Sequence, residues 1–111
     1  MRVISQDGTM DFPYEISTIF IYPRIENVIA IQSAGDSEIS IIGRYSSKEK
    51  AIKAMEMLRE QYGKLEVMKV LASGTAEYME KALTTDEMIK HYNTYCDMNV
   101  FQFPQDDEIE V

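Results

Sequence analysis

The chain is poor in the residues that most often carry catalysis. Among its 111 residues there is one cysteine, Cys96, one histidine, His91, and no tryptophan. A lone cysteine leaves no intrachain disulfide to form, which fits a reducing, cytoplasmic setting. His91 precedes Cys96 by five residues, about 140° around a helix, so the two do not share a face. That disfavours a Cys–His dyad and a shared metal site alike, and the expectation is a surface histidine and a small buried cysteine. The five glycines, at 8, 35, 43, 63 and 74, are too scattered to cradle a phosphate. No run approaches the ~18 apolar residues that span a bilayer. MRVISQDGTM also lacks the apolar stretch of a signal peptide.

Positive charge is the other scarcity. Eleven bases face nineteen acids, for a net charge of −8. Residues 1–44 hold three bases against six acids, residues 45–70 hold six against four, and residues 71–111 hold two against nine. Such a surface repels phosphate backbones, so direct nucleic-acid binding is not expected outside the basic middle segment. A basic protein surface would be attracted.

What is present reads as strands first and helices later. RVIS forms a short strand, Asp7-Gly8 suits a tight turn, and Pro13 confines MDFPYE to a sheet edge. ISTIFIYP (16–23), NVIAIQS (27–33) and ISIIGRY (39–45), joined by RIEN and AGDSE, make an antiparallel meander. Ser46 with Glu49 matches a capping box and opens a helix over 47–62. Its apolar face is Ala51, Met55, Leu58 and Tyr62, widened by Ile52, and Gly63 stands at a C-cap position. KLEVMKVLAS suits either a helix or a strand, Ser73-Gly74-Thr75 reads as a break, and AEYMEKAL as a short helix. Thr84 with Glu87 repeats the capping box and opens a helix with Met88, Ile89, Tyr92 and Tyr95 inward.

NVFQFP returns as a strand beside the N-terminal one, Pro104 ends its ladder, and the charges of DDEIEV protect that edge. The expected fold is a single α+β domain over 1–111. A small antiparallel sheet, from the meander and the C-terminal strand, is covered by two or three helices, and 105–111 form an acidic tail.

The carboxylates do not read as catalytic. Glu56 and Glu60 are flanked at helical spacing by Lys53 and Lys64, the pattern of a solvated helix face. Asp106 and Asp107 sit in a tail with nothing evident to hold them. A metal-assisted hydrolase needs several carboxylates converging from rigid elements, so neither enzymatic activity nor a cofactor or metal is expected. Most of the tyrosines and methionines fall on apolar faces; Tyr14, Tyr22 and Tyr78 do not find a place inside.

Taken together, MRVISQDGT followed by PYE, the GRYSSKEKAIKAMEMLRE helix and the FQFP-acidic end resemble a group of small uncharacterised proteins of phages and prophages of Gram-positive bacteria. The likeness is strongest at residues 1–15, 43–60 and 101–111, while 64–99 look particular to this chain. It brings no catalytic motif. It implies a non-enzymatic accessory protein in the cytoplasm of a host cell, binding a host protein such as a defence nuclease with a basic groove, in the manner of anti-CRISPR inhibitors. The acidic residues expected to make that contact are Asp97, Asp106, Asp107, Glu108 and Glu110, with Asp86 and Glu87 secondary. Two other readings compete. A sponge or receptor for a small nucleotide signal would draw on Arg24, Arg44, Tyr22 and Tyr45. A phage structural or assembly component would act through self-association, as a homo-oligomer.

Overall fold

A computed structural model describes the backbone of residues 1–82 and 84–111 and the side chains of residues 1–70, 84–90 and 92–111. Among the described residues, six short strands and two helices follow one another: β1 (Arg2–Ile4), β2 (Asp11–Pro13), β3 (Ser17–Ile21), β4 (Val28–Ser33), β5 (Ser40–Arg44), α1 (Lys48–Ala82), α2 (Thr85–Met98) and β6 (Val100–Gln102). Single 3-10 turns cover Tyr14–Ile16 and Asp106–Glu108. The class is α+β.

The strands form two three-stranded sheets, ordered β2-β1-β6 and β3-β4-β5. The meander of the second sheet is antiparallel throughout, with a register shift between Ile29 and Ala30. The C-terminal strand does return beside the N-terminal one, but β6 runs parallel to β1, with Val3 facing Phe101. A parallel pair needs a long crossover connection, and the chain supplies one by passing through the meander and both helices before β6.

The helices depart further from the sequence expectation. Ser47 is the residue that caps α1, its Oγ accepting from the Lys50 N–H at 3.2 Å. Ser46 instead turns its N–H outward to Asp106. Nor does α1 stop at Gly63 or at 73–75; it continues to Ala82. A helical glycine costs about 1 kcal/mol against alanine, far less than nucleating a new helix. Leu65, fully buried, extends the inward face of Ala51, Ala54, Met55 and Leu58 beyond that glycine. Ile52, expected on that face, is exposed.

The box at the start of α2 forms as expected. Thr84 Oγ1 accepts from the Glu87 N–H at 3.2 Å, and the Glu87 carboxylate accepts from the Thr84 N–H at 2.8 Å. Its expected inward face does not: Met88, Ile89 and Tyr92 are exposed, and Tyr95 and Met98 reach the core cluster only partly. α2 is anchored near its C-terminal end, where Gln61 Nε2 donates to the carbonyls of Met98 and Val100 at 3.0 and 2.6 Å. Cys96 is exposed, not buried. The side chains of His91 and Tyr78 lie outside the described residues. Tyr14, which the sequence left outside, packs its ring 4.4 Å from that of Tyr62.

The core lies between the sheets and the first half of α1. Val3, Ile29, Ile31, Ile42, Leu58, Leu65 and Phe103 are its largest fully buried apolar side chains. Phe101 meets Phe103 edge-on, with centroids 5.3 Å apart.

Candidate functional site

The acidic end of the chain is a folded part of the body. Pro104 stops β6, and its carbonyl accepts from Tyr45 Oη at 2.9 Å and from Gln6 Nε2 at 3.2 Å. Gln105 Nε2 donates in turn to the Gln6 carbonyl at 2.6 Å. Beyond this anchor the Asp106–Glu108 turn closes on itself, the Glu108 carboxylate accepting from the Gln105 N–H at 2.8 Å. Ile109 then inserts into the hydrophobic core, 4% exposed.

Asp106 joins this turn to α1. Its carboxylate accepts from the Ser46 N–H at 2.7 Å and from Lys50 Nζ at 3.2 Å, and Lys50 Nζ also donates to the Asp106 carbonyl at 2.8 Å. A carboxylate just ahead of a helix's first turn also suits the positive end of the helix dipole. The Ser46 N–H, followed by Lys50, holds the Asp106 carboxyl below the usual carboxylate range. Burial pushes the Tyr45 hydroxyl up, and the nearby negative charges of Asp106 and Glu108 add to that.

The seven acidic candidates therefore divide. Asp106 is occupied as a structural clasp, and Glu108 is turned back onto Gln105. Asp107 and Glu110 are exposed on the same anchored segment and, among the described residues, form no ion pair. Glu87 is held in the α2 cap, with exposed Asp86 beside it. Asp97 lies eleven residues further along α2, about 16 Å from Asp86 at 1.5 Å per residue. It lines a groove of about 490 Å³ between α1, α2 and β6, together with Glu60, Gln61, Lys64 and Phe101. The structure thus does not gather the acids into one patch.

The nucleotide-pocket candidates fare differently. Tyr45 is buried at 3% exposure, its hydroxyl committed to Pro104, so it is not available to stack on a ligand. Arg44 is exposed at the end of β5 and lines a hollow of about 170 Å³ with Gln6 and Asp7. Arg24 and Tyr22 both lie in the β3–β4 connection.

The chain matches no family model, no curated protein and no solved structure. Among the described residues, no group of three or more His, Cys, Asp or Glu side chains could hold a metal ion, and no helix is long and apolar enough to cross a membrane. The residues that sequence reasoning missed are those that hold the acidic turn: Gln6, Ser46 and Lys50. Their bonds to residues 104–106 span 56 to 99 positions, so no local pattern announces them.

Proposed function

We propose that this protein works by binding another protein through its C-terminal acidic turn, without catalysing a reaction. The observation that carries this reading is the anchoring of residues 104–109. Asp107 and Glu110 project from a segment fixed by Ile109 in the core and by Asp106 on Ser46 and Lys50. Charges already held in place are not ordered at the moment of docking, which lowers the entropic cost of association. A net charge of −8 adds long-range steering toward a basic surface. The terminal sequence blocks, with their likeness to phage and prophage proteins, suggest that the partner is a protein of the host cytoplasm. A defence nuclease whose nucleic-acid groove is basic has the required charge, and occupying that groove would inhibit it.

The test is capture from a bacterial host lysate, comparing the intact protein with an Asp107→Asn/Glu110→Gln variant of unchanged length and shape. A partner retained by the first at low salt, lost by the second and released as salt rises supports the reading. Equal capture by both proteins refutes it. Thermal stabilisation by a cyclic or linear nucleotide, without any protein partner, would point to the small-signal sponge instead.

A further inference from the structure

Each outer strand of the two sheets carries something that discourages pairing, with one exception. β2 contains Asp11 and Pro13. β6 is three residues long. The edge of β5 is met by Gln6, whose N–H donates to the Ile42 carbonyl at 2.7 Å and whose Oε1 accepts from the Arg44 N–H at 2.8 Å. β3 has no such protection. Its sequence, STIFI, holds no charge, proline or glycine, and among the described residues it pairs with β4 alone.

The ladder shows which groups are left over. The Tyr22 N–H donates to Val28 and the Ile16 carbonyl accepts from Ala34, so the even-numbered residues turn their backbone groups toward β4. Ser17, Ile19 and Ile21 turn theirs outward. The Ser17 N–H is already used by the Tyr14 carbonyl. The N–H and C=O of Ile19 and Ile21 therefore remain as a row of open donors and acceptors, the usual template for another strand.

We propose that this edge pairs with the same edge of a second copy of the chain, giving a homodimer with one continuous six-stranded antiparallel sheet. The open groups are self-complementary. Setting Ile19 of one copy against Ile21 of the other satisfies all of them, and places Ser17 opposite Pro23, where no N–H is left unpaired because that of Ser17 is already bonded and proline has none. In this register the two Phe20 side chains meet on the twofold axis, an aromatic cross-strand pair of the favourable kind. Ile16 and Ile25, 58% and 49% exposed, flank the strand at its two ends, where the second copy would cover them. On the α1 side a hollow of about 450 Å³, lined by Ile19, Leu58, Arg59 and Tyr62 among others, adjoins the open edge. The charge excess does not oppose this contact, because residues 16–25 carry only Arg24. This inference is independent of the acidic-turn reading.

Two measurements on the full chain decide it. Light scattering after size exclusion should give twice the 12.8 kDa chain mass, and the Ile19 and Ile21 amides should gain hydrogen-exchange protection as protein concentration rises. Thr18→Lys, at an exposed position of the edge, should return the protein to a monomer with an unchanged far-ultraviolet circular dichroism spectrum. A monomer at every concentration overturns the proposal. So does a dimer in which both amides exchange freely, or one that Thr18→Lys leaves intact.

Discussion

Cutting the chain after Pro104 removes seven residues that the sequence marks as a tail but the structure uses as a clasp. The largest single loss is Ile109, 4% exposed within the core cluster. Truncating a buried isoleucine to alanine costs about 2–5 kcal/mol, and deleting it leaves at least that large a gap. The Ser46 N–H and Lys50 Nζ also lose their carboxylate, and Tyr45 Oη and Gln6 Nε2 lose the anchored geometry of Pro104. Domains of this size are stable by about 5–15 kcal/mol, so the clasp is a sizeable share of the total. At a urea m-value of about 2 kcal/mol/M, Ile109→Ala alone should lower the unfolding midpoint by about 1–2.5 M. The truncated protein should fall at least as far. Asp107→Asn, exposed and outside the clasp, should leave the midpoint where it was. A truncated protein that unfolds at the intact protein's midpoint would mean that residues 105–111 hang free after all, and the preordering argument for the acidic surface would fail with it.

Gly63→Ala separates the two readings of that glycine: nothing lies within 4 Å of an added Cβ, so in a helix interior the change should stabilise by about 0.5–1 kcal/mol in urea unfolding, whereas a left-handed C-cap would be destabilised. Leu58→Ala should cost about 2–5 kcal/mol and Glu56→Ala no more than about 0.5 kcal/mol in the same assay; equal effects would invert the assigned faces of α1. The Asp7 carboxyl is held down at about 2, against an ordinary 3.8, first by the Ser5 hydroxyl and then by the hydroxyl and N–H of Thr9. A carboxyl depressed in the folded state adds stability above its unfolded value and loses it as pH falls through its folded value. Stability should therefore decline from about pH 4 toward pH 2, and Asp7→Asn should remove part of that slope; an identical acid profile for the variant would count against the turn geometry.

How far the fold is legible in the sequence depends on how local each determinant is. The β3–β4–β5 meander follows from β-branched runs and the turns between them, and the start of α2 from Thr84 and Glu87, which satisfy each other three residues apart. The length of α1 is misjudged because glycine is a graded cost that a buried Leu65 overrides, not a stop. The capping box expected at Ser46 gives way to a single cap by Ser47, because the Ser46 N–H that Glu49 would have accepted from is taken by Asp106, sixty positions away. The inward face of α2 is overestimated since an amphipathic pattern shows which side is apolar, not whether anything is there to cover it.

The candidate site shows the same division more sharply. Composition places the charge excess in the last third of the chain, yet the role of each carboxylate is set by what meets it across the fold. Adjacent Asp106 and Asp107 are indistinguishable in a list of acids. In the structure one is bonded to Ser46 and Lys50, and the other is left to the solvent. Neutralising the first should weaken the protein with or without a partner, because an amide cannot replace the charge beside Lys50. Neutralising the second should leave the midpoint alone and instead slow and weaken association with a basic surface, most of all at low salt, since exposed charges are screened over about 10 Å at 0.1 M. The two aspartates therefore give opposite signatures in two assays, unfolding midpoint and association rate. If Asp107→Asn lowered the midpoint while Asp106→Asn slowed association, the assignment of clasp and contact would be reversed.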